Sequence, residues 1–222
     1  MSDFRKDLSM SRVLSILLGL ALVRGAAAQG RPLTALSAEE QTRLALSTAP
    51  PEVSSRASLY ILTPNRGYRQ VRTGTNGFSC LVERAFLEAL EPVCYDAEGS
   101  ATTLQARLYR EELRAQGLPE DEVRRRIAAA YQDGRLRAPR KPGLVYMLAP
   151  EQWSWNPFAK KFWNAPPHFM LYAPFATQEA LGGFSGPHMP VVDSPGQPDA
   201  LIIIMAQDST HLRSTDSRKP SH

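Results

Sequence analysis

The sequence predicts an α+β fold, a mainly antiparallel sheet with two consecutive helices inserted between an N-terminal meander and C-terminal strands. Three observations predict it. Short β-patterned runs broken by Pro64-Asn65-Arg66-Gly67 and Thr75-Asn76-Gly77 turns fill residues 57–84. Apolar residues recur at helical spacing between 100 and 132, and apolar runs bounded by proline or glycine follow at 144–148, 169–172 and 201–205.

The first 28 residues read as a cleavable export signal. Arg5, Lys6 and Arg12 form a positive front, Val13 to Val23 is eleven residues without a charge, and Ala26-Ala27-Ala28 offers small residues to a peptidase. Cleavage is expected between Ala28 and Gln29. Translation from Met10 would make a more compact signal than translation from Met1. The apolar core is short of the ~20 residues that span a bilayer, so no stable membrane span is expected after cleavage. A periplasmic or extracellular location follows.

The remaining 194 residues suit one α+β domain over 29–205, with a polar, disordered tail at 206–222. Net charge is +4 for the whole chain, and the signal holds four basic and two acidic residues, so the mature protein carries +2. That near balance argues against nucleic acid as a partner. Two cysteines, Cys80 and Cys94, both follow the signal. In an oxidising compartment they are expected to pair, closing a loop whose entropy contributes about 3 kcal/mol. The rival reading makes Cys80 a nucleophile activated by a histidine.

Element by element, Ser37 opens a helix with Glu39 and Glu40 in its first turn, and Pro50-Pro51 stops it. Strands are expected at 57–62, 68–73 and 78–84, forming the meander. Asn76-Gly77 is the strongest hairpin signal, since both residues tolerate positive φ. A helix capped near Ser100 or Thr102 carries Leu104 and Leu108 inward and ends at Gly117. Pro119 begins the next, with Val123, Ile127 and Tyr131 on one side and Glu120, Asp121 and Glu122 four positions before Arg124, Arg125 and Arg126. Both helices are expected against one face of the sheet. Leu201 to Met205 (LIIIM), apolar throughout, reads as a central strand covered on both faces.

The most distinctive window is 152–167, QWSWNPFAKKFWNAPP, which holds all three tryptophans. Trp153, Trp155, Phe158, Phe162 and Trp163 are the candidate ligand-binding residues. Beside Asn156, Lys160, Lys161 and Asn164 they offer ring faces to an envelope polysaccharide or an apolar surface to a protein partner. The competing reading is a flap that buries these rings to hold a long connection in place.

His168 and His188, completed by Asp193, Glu83, Asp96 or Glu98, are the candidates for a metal-dependent or hydrolytic alternative. Their spacing matches no metal-ligand motif, and no metal, cofactor or catalytic residue is assigned. Gly183-Phe184-Ser185-Gly186 fails as a nucleophile elbow because Pro187 stands where glycine is required. Asp96-Ala97-Glu98-Gly99 reads either as a carboxylate pair or as the cap of the helix after it. The runs GTNGFSCLVERAF, EPVCYDAEGSATTLQARL, PGLVYML and PHFMLYAPF resemble uncharacterised secreted bacterial proteins across most of the mature chain. The resemblance implies export, and it carries over no activity and no site residue.

Overall fold

A computed structural model describes residues 31–183 and 189–205. The expected signal (1–28), the polar tail (206–222) and His188 lie outside them.

Ser37 opens α1 (Ala38–Leu46) through a reciprocal capping box, its hydroxyl accepting from the Glu40 amide while the Glu40 carboxylate accepts from the Ser37 amide. Buried Gln41 then works like an extra strand edge. Its amide group donates to the Leu62 carbonyl and accepts from the Leu62 N–H, which fixes the helix to the sheet. α1 ends at Leu46 with Ser47 as its C-cap, ahead of Pro50-Pro51, and Pro51 starts a short helix, α2 (Pro51–Ser54), at a position where its missing N–H has no intrahelical partner to lose.

Eight strands form one sheet: β1 (Ser58–Thr63), β2 (Gly67–Arg72), β3 (Ser79–Glu83), β4 (Glu91–Tyr95), β5 (Leu144–Met147), β8 (His168–Tyr172), β9 (Val191–Asp193) and β10 (Leu201–Met205). A separate pair, β6 (Trp153–Asn156) and β7 (Lys161–Asn164), makes a hairpin. The order is β2-β1-β3-β4-β5-β8-β10-β9, antiparallel everywhere except between β1 and β3.

That exception overturns the three-stranded meander. The chain leaves β2, crosses the start of β1, and enters β3 on the far side, parallel to β1. Gly74 makes the crossing, where any Cβ would overlap the backbone of Ala57 and Ser58. Thr75 N–H bonds to the Arg56 carbonyl, Arg72 reaches the carbonyls of Ser54 and Ala57, and Asn76 donates to that of Val53. Asn76-Gly77 does turn the chain, with Gly77 at φ 79°, yet the turn belongs to this crossover.

β3 and β4 lie side by side with Cys80 opposite Cys94, and the two sulfurs are bonded at 2.04 Å. Alternation then sorts the side chains. Cys80, Val82, Leu90 and Cys94 pack under α1 with Leu44 and Ala45. Leu81, Val93, Tyr95, Val145, Met147, Met170 and Leu201 share the opposite core with Leu104 and Leu108 of α4 (Thr103–Ala115). Asp96 caps the short α3 (Ala97–Ala101) by accepting from Gly99 N–H, and α5 (Glu120–Gln132) packs on α4 through Ile127 and Tyr131. The two consecutive long helices thus lie on one side of the sheet, α4 against it and α5 on α4, while α1 covers the other face.

The cover under α1 does not reach the far strands. Leu171 and Ile204, on β8 and β10, are 40% and 42% exposed. LIIIM is thus an interior strand buried mainly by Leu201 and Ile203, and it is not covered on both faces. Among the described residues no helix is long and apolar enough to cross a membrane.

Candidate functional site

The window 152–164 divides at the hairpin. Its base is structural: Trp153 exchanges two backbone hydrogen bonds of 2.8 Å with Leu90 just before β4, and its ring packs against the core under α1. Gln152 is buried beside it, donating to the carbonyls of Met147 and Ala149. The outer half is solvent-facing. Trp155 is 37% exposed and Phe158, at the tip, 59%.

Register decides which rings meet. Trp155 stands opposite Phe162, edge-on at 5.3 Å, while Trp153 stacks on Phe162 with planes 14° apart. Trp163 pairs with Ser154 on the other face of the hairpin, half-buried and away from this cluster. The tip is a side-chain-supported turn: Asn156 Oδ1 accepts from the N–H groups of Phe158 and Ala159, and Lys160 takes φ 50°. Lys160 and Lys161 are exposed, and no acid lies between 152 and 164. The nearest in sequence, Glu151, is bound to Arg43 at 2.8 Å.

One member of the cluster escapes the sequence reading. Phe86, in the β3–β4 loop, lies 5.9 Å from Trp155 and 6.1 Å from Phe162, ring centre to ring centre. It and Leu87 are 48% and 46% exposed. The signal was available, for an adjacent Phe-Leu inside a charged loop serves no core. The loop is anchored at its start, where Arg114 donates to the carbonyls of Arg84 and Ala85, and Arg84 pairs with Glu111 at 2.8 Å.

A second cluster lies on the α4 side of the sheet. Glu83 and Glu91 face each other across β3 and β4. Arg107 reaches in from α4, its Nη1 3.0 Å from Asp199 and its Nε 3.5 Å from Glu83, and the Tyr95 hydroxyl donates to Glu83 at 2.9 Å. Burial raises the Glu83 pKa, with Arg107 and Tyr95 pulling it back. Burial and then the Glu83 charge push Glu91 up to about 7, against the N–H of Ala85 and the hydroxyl of Ser154, which both favour its anion. For Arg107, burial opposes the charge, but Asp199, Tyr95 and Glu83 outweigh it and its pKa is raised. Chemically, this is a buried charge network in which Arg107 Nε, 3.5 Å from Glu83, makes no hydrogen bond. Glu91 is its accessible end, tying the Phe86 loop to Ser154 of the hairpin.

The remaining candidates have local duties. Asp96, besides capping α3, accepts from Leu144 N–H and the Tyr172 hydroxyl, and Glu98 accepts from Arg140 N–H. Asp193 accepts from the Ser194 hydroxyl. His168 is buried with Nδ1 2.8 Å from the Pro166 carbonyl, and burial holds its pKa below the ordinary histidine value. Cys80 is spent in its disulfide and offers no thiolate. Among the described residues no three His, Cys, Asp or Glu side chains are grouped to hold a metal ion.

No protein-family model, no curated protein and no solved structure matches this chain.

Proposed function

We propose that this chain is an exported, non-catalytic binding protein of a bacterial envelope or its medium, and that the outer half of the aromatic hairpin is its contact surface. One observation carries the reading: Trp155, Phe158, Phe86 and Leu87 stay substantially exposed on the hairpin and the β3–β4 loop, the first braced at its turn by Asn156 and the second anchored by Arg114. Soluble proteins seldom leave grouped large apolar side chains in water without using them. The disulfide fits an oxidising compartment, and the signal-like segment ahead of the fold supports export.

Because all three tryptophans lie in the hairpin, their emission reports on that element alone. Titration with separated envelope fractions (lipid, polysaccharide, soluble protein) should shift it for at least one, and Phe158→Ser should weaken the response. Emission unmoved by every fraction would remove the proposal.

A second reading, secreted acid–base chemistry, is favoured only by Glu91, whose pKa near 7 beside Glu83 suits a proton-transfer group. A hydrolase screen in which Glu91→Gln abolishes an activity that Phe158→Ser leaves intact would establish it over the binding reading.

A further inference from the structure

We propose that the hairpin's partner is the headgroup layer of an anionic lipid surface, entered by Phe158, Trp155 and Phe86 while Lys160 and Lys161 lie among the phosphates. The inference rests on reading the hairpin as a contact surface and names what that surface touches. Charge and shape both select it. Both cations of the hairpin follow its most exposed ring within three residues, and the hairpin contributes no negative charge. Tryptophan and phenylalanine beside lysine are the side chains that settle at a membrane interface, rings toward the acyl boundary and ammonium groups toward phosphate.

Ring geometry argues against the other occupants. Phe86, Trp155 and Phe162 are tilted to one another by 51°, 70° and 88°, so they form a rough apolar knob with no coplanar shelf for successive sugar rings. A knob needs a partner that moulds to it, and a fluid interface requires no matching shape. The braced turn at Asn156 and Pro157 presents Phe158 already extended, so little chain freedom is lost on insertion. Glu88, exposed two residues after Phe86, and Glu91, bonded to Ser154, are acids that oppose the approach.

The test is co-sedimentation of the disulfide-intact chain with vesicles of phosphatidylglycerol mixed with phosphatidylcholine, against pure phosphatidylcholine, with tryptophan emission recorded alongside. Binding to the anionic vesicles with a blue shift is expected, weakening as salt rises. Each lysine removed should cost about fivefold in affinity, so Lys160→Ser with Lys161→Ser should lose roughly 25-fold. Phe158→Ser should lose at least about tenfold, and Glu88→Lys should bind more tightly than the parent.

Equal binding to neutral and anionic vesicles overturns the proposal, as does anionic binding that Phe158→Ser leaves unchanged, since that places the lipid elsewhere. If polysaccharide or a soluble protein shifts the emission and vesicles do not, the lipid inference falls and the contact surface stands. If nothing shifts it, both fall.

Discussion

Two regions of this molecule invert the usual placement of side chains. On the α4 side of the sheet, Glu83, Tyr95, Arg107 and Asp199 hold charge and polarity inside the fold, while on the hairpin and the β3–β4 loop Trp155, Phe158, Phe86 and Leu87 hold apolar surface in water. The difference lies in completion. The inner cluster balances its charges internally: Arg107 pairs with Glu83 and Asp199, and the Tyr95 hydroxyl donates to Glu83, with Arg107 Nε alone left without a hydrogen bond in this set. The outer cluster has partners on one side only. A buried charge network finds its counter-charges within the fold; an exposed ring cluster braced from behind calls for something outside.

The comparison can be broken at several points, and the largest effect is expected at its inner pole. Arg107→Met leaves Glu83 and Asp199 buried without their cation, which should cost about 3–5 kcal/mol of unfolding free energy by urea titration. A loss under about 1 kcal/mol would mean the network is not load-sharing in the folded state. Next comes the staple between β3 and β4. Replacing Cys80 and Cys94 by serine reopens a loop with sequence separation 14, expected to lower stability by about 3 kcal/mol, measured against the parent under non-reducing conditions.

Glu91 joins the two regions and gives a pH-dependent prediction. Its folded pKa is about 7 against an ordinary 4.5, so the folded chain holds one more proton between those values. Stability from this group is therefore complete below about pH 4.5 and is lost as pH rises through about 7, by up to about 3 kcal/mol. Glu91→Gln should remove that slope, so that the difference in unfolding free energy between parent and variant changes across the window while the variant's own profile flattens. An unchanged slope would place the titration on another group. The group most able to mask it is His168, whose lowered pKa works in the opposite direction as pH falls.

Much of this was legible where the determinant is local. The capping box of Ser37 and Glu40, the end at Gly117, the start at Pro119 and the strands at 144–147, 168–172 and 201–205 are fixed by residues within a few positions. What escaped is non-local. Asn76-Gly77 specifies a turn but not which edge the chain then joins, and that choice is made by Gly74 fitting against Ala57 and Ser58. β4 was hidden by Pro92, which donates no ladder bond; its carbonyl is met instead by the Thr48 hydroxyl at the end of α1. The aromatic residues of the window were legible as a group. Their division into Trp153 at the base and Trp155 and Phe158 outside depends on the bridge to Leu90, and the recruitment of Phe86 on a contact across the fold. Arg107 reads in sequence as one more helix-surface arginine until α4 is laid on the sheet.

The outer pole carries the smallest expected change and the most direct test. Phe158→Ser removes the most exposed ring of the hairpin, 59% open to solvent, and its effect on unfolding free energy in urea separates a contact surface from a misread core. A change within about 0.5 kcal/mol, as for an ordinary surface substitution, is the predicted result. A loss of about 2 kcal/mol or more would show that the ring is packed and serves the fold, and would contradict the account.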